Sequence, residues 1–303
     1  MNQFEKPVKS GIAAIVGPPN AGKSTLMNTL LKQKISIVTP KPQTTRNRIA
    51  GIVNSEDYQI VFLDTPGLHQ SRDPLNIEMV RVAMDSLIDV DVVLFLIDVS
   101  LPLPEKVEEK KRQEFLSYME QIKCPAIMVL NKVDLVVRAN LLPMIEIYSK
   151  LYPFHAVIPL SALHDEGTDS LLSEIVSVLP FGPRYFPEDV PTDVSERFLC
   201  GEIIREKVFL LTSQEIPYST AVLIDSFKEE KNRMITIHAS IVLEKTSQKG
   251  IVIGKGGGKL KAIGTAARKD IEILLGEKVL LKLWVKVKKN WSQDSRFLKE
   301  LGL

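Results

Sequence analysis

Cysteine is scarce: the 303 residues hold two, Cys124 and Cys200, far apart and without a metal-ligand spacing. That excludes a disulfide framework and a zinc ribbon, and fits reduced thiols in a cytosolic protein. Long apolar runs are missing too. The longest, Val92–Ile97, has six residues, far short of a membrane span. Met1–Lys9 is polar and lacks a hydrophobic signal core, so export is not expected. The four histidines (His69, His155, His164 and His238) show no catalytic or metal spacing and are read as structural. What is present is ordinary for a soluble globular chain: 45% hydrophobic and 25% charged residues, with length enough for two domains.

The net charge of +2 conceals an asymmetry. Met1–Arg184 carries 19 Lys/Arg against 21 Asp/Glu, whereas Lys245–Lys289 carries 12 against 3. A basic C-terminal region on a near-neutral chain points to a polyanionic partner, though a solvated lysine-rich surface would have the same composition.

The strongest single signal is Gly17-Pro18-Pro19-Asn20-Ala21-Gly22-Lys23-Ser24, a full match to G-x-x-x-x-G-K-[ST]. It follows the apolar run Ile12–Val16 and precedes the helix formers Thr25–Leu31, the strand–loop–helix setting this motif requires. Glycines let backbone N–H groups turn inward as an anion nest at a helix N-terminus. Lys23 then reaches the β- and γ-phosphates, and the Ser24 hydroxyl can ligate Mg²⁺.

Further along, Tyr58–Leu63 reads as a strand ending in Asp64-Thr65-Pro66-Gly67. A carboxylate there can hold Mg²⁺ through water, and the Gly67 N–H can reach a γ-phosphate. Gln33–Arg48 is polar and aperiodic, as a nucleotide-sensing loop would be; either Thr44 or Thr45 could close over the γ-phosphate and metal, with Thr45 preferred. A helix is expected over Pro74–Leu87, a buried strand over Asp91–Asp98, an exposed helix over Pro104–Ile122, and a helix over Leu141–Leu151. The strand Ala126–Leu130 ends in Asn131-Lys132-Val133-Asp134. Asp134 can accept from guanine N1–H and the 2-amino group, a donor pair adenine lacks, with Asn131 and the Lys132 stem completing the base pocket. After the last strand, Ala156–Leu160, comes Ser161-Ala162, whose Ala162 N–H can donate to guanine O6.

Alternating strands and helices predict a mostly parallel sheet with these motifs at strand C-termini. The ordered set resembles that of Ras-like, translation-factor-related GTPases, which implies GTP/GDP binding at Gly17–Thr25, Asp64–Leu68, Asn131–Asp134 and Ser161-Ala162. Mg²⁺ would be held by Ser24, Thr45 and Asp64, and Lys23, Thr45, Gly67 and Asn20 would act in hydrolysis. Two features bear on mechanism. Leu68 stands where small signalling GTPases have a water-orienting Gln. Asn20 stands as in similar GTPases that use a bound K⁺ to spread charge over the β–γ bridge; its plainer reading is a loop-shaping hydrogen bond.

Four prolines in residues 180–193 mark an interdomain connector, its aromatics suggesting that part of it packs down. Beyond it, Ser195–Thr212 reads as a helix capped by Ser195. Tyr218–Phe227 and Met234–Leu243 read as a hairpin turning at Asn232, with Ile235, Ile237, Ala239, Ile241 and Leu243 on one face. Then come Ser247–Ile253, Gly254-Lys255-Gly256-Gly257, a basic helix Gly258–Leu275 and a strand Lys278–Val287. This order resembles a type II KH domain, in which a G-x-x-G loop lets nucleic-acid backbone approach closely and about four nucleotides are clamped. The residues singled out for RNA are Lys249, Ile253, Gly254, Lys255, Gly256, Gly257, Lys259 and Lys261, with Ile251–Ile253 as an apolar floor. Trp284 alternates with Lys282 and Lys286 and could stack on bases; packing against the helix or linker is the preferred reading.

A P-loop GTPase domain of α/β class (9–180), a linker (181–194), a smaller α+β KH domain (195–291) and a tail (292–303) are similar in order to the bacterial Era family of GTPases. Further matches are Gln43-Thr44-Thr45-Arg46, Tyr185–Asp189, Ile203-Ile204-Arg205-Glu206-Lys207 and Trp284–Lys288. The resemblance implies a cytosolic factor that binds the 3′ region of 16S ribosomal RNA, acts in 30S subunit maturation, and can associate peripherally with the membrane; a monomer is expected, with the oligomeric state left open by the sequence. An RNA-binding chaperone with little GTPase activity is the competing reading, kept alive by Leu68.

Overall fold

The computed structural model describes residues 7–41, 44–67, 74–101, 119–120, 122–212, 216, 218–230 and 233–302. The chain forms two compact units. The first takes the chain to Ile35, resumes at Thr45, and from Met79 continues to Asp193; the second takes Ser36–Thr44 and Val194 onward, with the start of the helix at Pro74.

In the first unit the strands are β1 (Val8–Val16), β2 (Ile49–Asn54), β3 (Tyr58–Asp64), β4 (Val92–Asp98), β5 (Ala126–Asn131), β6 (Ala156–Leu160) and the short β7 (Phe181–Gly182). Their order is β2-β3-β1-β4-β5-β6, with β7 antiparallel to the start of β1. From β3 to β6 every pairing is parallel. The apolar runs explain this, because a strand covered on both faces needs no polar alternation: β1 holds Ala14 and Ile15, and β4 holds Val93, Leu94 and Leu96, all at zero exposure. Helices α1 (Lys23–Leu31), α2 (Pro74–Asp85), α3 (Leu141–Ser149) and α4 (Thr168–Val178) supply the cover, burying Leu26, Ala83, Met144 and Leu171 among others. Five parallel strands place all their C-terminal ends on one edge, and the motif residues with them.

Strand β2 carries no strong period in the sequence and was not expected; it pairs antiparallel with β3 as the edge of the sheet. Residues 184–193 of the connector lie along it. Ile52 N–H donates to Pro191 O, Thr192 Oγ1 donates to Ala50 O, and Phe186 and Val190 pack on Ala50, Ile52, Val61 and Leu63. The proline-rich stretch is therefore a strap on the first unit. The helix expected over Pro104–Ile122 and the turn at Asn232 lie mostly or wholly outside the described residues.

The second unit contains α5 (Glu196–Leu211), β8 (Thr220–Glu229), β9 (Ile235–Leu243), α6 (Thr246–Ile253), α7 (Gly258–Leu275), β10 (Val279–Val287) and α8 (Ser295–Glu300). Ser195 caps α5, its side chain accepting from Phe198 N–H at 3.2 Å. The sheet runs β10-β9-β8, with β9–β10 parallel and β8–β9 antiparallel. Its inner face, Ile235, Ile237, Ala239, Ile241 and Leu243, packs on Ile204, Val208, Ile263 and Ile271 of the helices. The stretch read from sequence as a tail, 292–303, folds back over its described residues 292–302 through α8, which buries Phe297 and Leu298 beside the fully buried Trp291. Trp284 corrects another expectation. It stands on the outer face of β10, 45% exposed, edge-to-face with His238 at 5.2 Å, rather than packed against a helix or the linker.

Candidate functional site: a nucleotide edge and a basic groove

Gly17–Ser24 turns from the end of β1 into α1. Gly22 sits at φ 97°, and a Cβ there would lie 2.2 Å from Asn131 Nδ2, so no larger residue fits. The Lys23 side chain is buried and donates to the carbonyls of Gly17 and Pro18, both at 3.1 Å. Burial pushes its amine down to about 8, with the Asp64 carboxylate pulling the other way. Asn20 adopts a left-handed φ of 61° at the exposed crown of the loop. Thr25 continues α1 one residue beyond Ser24.

Three oxygens converge beside Lys23. Ser24 Oγ donates to Asp64 Oδ2 at 2.6 Å, Thr45 Oγ1 lies 2.9 Å from Ser24 Oγ, and Thr45 Oγ1 is 3.5 Å from Asp64 Oδ2. Thr44 faces away: its hydroxyl meets Thr39 Oγ1 and donates to Lys41 O, both at 2.7 Å. Two hydroxyls and a carboxylate form a hard oxygen set, which suits Mg²⁺ completed by phosphate oxygens and water. Among the described residues no cluster of three or more His, Cys, Asp or Glu offers an alternative metal site. Thr65 Oγ1 ties the turn back to Ile15 O at 2.7 Å, and Pro66 is buried. Gly67 runs so close to the phosphate loop that a Cβ would be 3.0 Å from Pro19 N. Leu68 lies outside the described residues.

At the end of β5, where the base is expected, the geometry adds a brace. Asn131 is buried; its Nδ2 donates to Ala21 O at 2.7 Å and its Oδ1 accepts from Ala162 N–H at 3.0 Å. It therefore braces three motifs together, tying the phosphate loop and the Ser161-Ala162 turn to the end of β5. Thr29 Oγ1 reinforces the brace by donating to Ala162 O at 2.7 Å. Ser161 is fully buried and bridges to Glu166. Lys132 adopts φ 69°, and its ammonium pairs with Asp98 at 2.5 Å. Burial works against charge on Asp98, but hydrogen bonds from Lys132 and Ser100 hold its carboxyl below the usual range. Sequence reasoning missed Asp98, although a carboxylate ending a parallel strand was the same signal that singled out Asp64. Val133 and Asp134 form a single helical turn, and Asp134 Oδ2 lies 3.8 Å from His164 Nε2, giving that histidine a place beside the site.

In the second unit Gly254, Gly256 and Gly257 all take left-handed φ, of 72°, 57° and 79°. Open space lies over Gly256, Gly257 and Gly258, with no heavy atom within 4 Å of an added Cβ. Next to them a groove of about 370 Å³ is lined by Leu260, Lys261, Gly264 and Arg268 of α7 and by Leu281 and Leu283 of β10. The apolar floor is therefore Leu260, Leu281 and Leu283. The expected floor, Ile251–Ile253, does not line it: Val252 is fully buried and Ile253 packs on the core. Lys249, Lys255 and Lys261 are exposed and Lys259 is half-buried. Gly264 was legible as a glycine inside a strong helix, whose presence opens the groove wall.

The 50S ribosome-binding GTPase family model matches residues 12–132 and the KH domain model matches 215–292. GTPase Era of Geobacter metallireducens is 50% identical over 299 residues, covering 98% of this chain and 99% of that protein. GTPase Era of Lacticaseibacillus paracasei is 46% identical over 295 residues, covering 97% and 96%. Two solved structures align at TM-score 0.92 and 40% identity over 97% of this chain and 99% of theirs. One is an Aquifex aeolicus Era variant bound to GDP and aluminium fluoride; the other is Era with MgGDPNP and nucleotides 1506–1542 of 16S ribosomal RNA.

Proposed function

The chain belongs to the Era family of GTPases, and from that premise we propose that it is a GTP-gated RNA clamp acting on the 3′ region of 16S ribosomal RNA during 30S subunit maturation. Members of this family bind and hydrolyse GTP and use Mg²⁺. In this chain Ser24 and Thr45 would hold the metal with Asp64 behind them, Lys23 would neutralise charge on the β–γ bridge, and the Gly67 N–H would follow the γ-phosphate. Asp134 would select guanine. RNA would enter the groove beside Gly254–Gly257, its backbone over the open glycines, its bases on Leu260, Leu281 and Leu283, with Lys249, Lys255, Lys259, Lys261 and Arg268 around it. The observation that carries the RNA reading is this groove: open backbone, an apolar floor and cations in one place.

The test is RNA affinity, at stated salt, measured with GDP and with a non-hydrolysable GTP analogue. A several-fold difference is expected; equal affinities would remove the gating. Asn20, exposed at the crown of the phosphate loop, suits a bound K⁺ that speeds hydrolysis, and equal single-turnover rates in K⁺ and Na⁺ buffers would remove that role. No helix among the described residues is long and apolar enough to cross a membrane. Peripheral association with the membrane, which the resemblance to the Era family implies, belongs to this reading.

A further inference from the structure

The stretch Ser36–Thr44, which leads into Thr45, belongs to the second unit and is held there by α5. Val38 N–H donates to Glu206 Oε1 at 3.0 Å, and Arg205 Nη2 donates to Thr44 O at 2.6 Å. The Lys41 ammonium donates to Phe209 O and Thr212 O at the C-terminal end of α5, both at 2.5 Å. Those carbonyls are among the groups a helix leaves without intrahelical donors, at the end where its dipole favours a cation. Both α5 anchors are themselves fixed. Arg205 and Glu206 are each 2% exposed. Arg205 forks onto Glu202 and lies over the Phe209 ring, while Glu206 pairs with Lys207, which also pairs with Asp270 of α7.

We infer that Lys41, Arg205 and Glu206 are positioning residues for Thr45, so that α5 presets the segment whose last step is closure over the γ-phosphate and Mg²⁺. This rests on the GTPase reading above and names the device that would regulate it. The described residues of the segment have no regular secondary structure of their own, so their backbone order comes from side-chain partners. Without them, Thr45 would have to be ordered afresh each time GTP binds, at an entropic cost that GDP binding does not incur. Thr45 adjoins Thr44 in the chain, so fixing the Thr44 carbonyl fixes where the Thr45 hydroxyl can reach. By linkage, a nucleotide that engages Thr45 tightens the grip of the segment on α5 to the same degree.

The experiment uses the full-length chain without RNA, so that its result is independent of whether nucleotide state gates RNA binding. Lys41→Met keeps the side-chain stem and removes the ammonium; Lys41→Arg restores a donor. Affinities for Mg²⁺ with a non-hydrolysable GTP analogue and for GDP are read by displacement of a fluorescent guanine nucleotide. Lys41→Met should weaken the analogue about tenfold, equivalent to ~1.4 kcal/mol, leave GDP unchanged, and slow single-turnover hydrolysis, with Lys41→Arg recovering most of each. Thr44→Ala, which removes the hydroxyl contact with Thr39, should shift the same ratio in the same direction and serves if Lys41→Met does not fold. Parallel losses for both nucleotides, or an unchanged ratio in both variants, would overturn the assignment.

Discussion

Lys23 shows how one side chain can carry the electrostatics of the site. Its amine is drawn from 10.5 to about 8 because burial disfavours the charged form, against the pull of Asp64. A depressed lysine costs stability while it is held protonated, so this cost is full below about 8 and fades as pH rises from there towards 10.5. Bound phosphate reverses the preference, because it stabilises the ammonium. Nucleotide binding should then take up most of a proton at pH 8.5 and almost none at pH 7, read by calorimetry of GDP binding in buffers of different ionisation enthalpy. No uptake at pH 8.5 would mean that the Lys23 amine of the free protein is not depressed. The meeting of Lys23, Ser24 and Asp64 was legible from spacing alone, since their motifs are contiguous. The bracing role of Asn131 was not, because its partners Ala21 and Ala162 lie far from it in sequence and meet only at the sheet edge.

At the scale of elements, the proline-rich strap explains how the exposed edge of the parallel sheet is managed. An uncovered edge strand invites pairing with another chain; here β2 is covered by residues 184–193. Gln59, fully buried on β3, ties the strap down: its Oε1 accepts from Tyr185 N–H at 2.6 Å and Phe186 N–H at 3.0 Å, and its Nε2 donates to Phe186 O at 2.8 Å. Arg184 adds a bond to Ser55 O at 2.7 Å. Gln59→Leu keeps the bulk but leaves two N–H groups without their acceptor, which should cost about 2–6 kcal/mol at ~1–3 for each unsatisfied group, lessened where water reaches them. Urea unfolding of the full chain measures it, and a loss under ~0.5 kcal/mol would mean the strap is not held there. Long helices α5 and α7 were legible from period and capping, as were the buried strands. The edge strand β2 was not, because Gly51 interrupts it and its pairing partner, not its own pattern, makes it a strand.

At the scale of the molecule, two chemistries share one chain, and linkage makes any coupling between them reciprocal. If the GTP analogue raises RNA affinity by some factor, RNA must raise analogue affinity by the same factor; measuring both sides of the cycle separates true coupling from an altered RNA surface. The segment Ser36–Thr44 is central to this view, being contiguous in sequence with the nucleotide site yet grouped with the second unit.

The amino-acid sequence by itself determined the family and the motifs that carry its chemistry: a phosphate-loop motif, a hydroxyl and carboxylate set that converges beside Lys23, the Asn131–Asp134 motif, and a glycine loop amid lysines. Each is written in residues near one another along the chain, so their chemistry needs no fold to be read. Only the tertiary structure decided that Asn131 braces three motifs, that Leu260, Leu281 and Leu283 floor the groove instead of Ile251–Ile253, that Trp284 faces outward, and that α5 holds the approach to Thr45. Those outcomes depend on which face of a helix or strand the core claims, and that is settled by packing between elements distant in sequence.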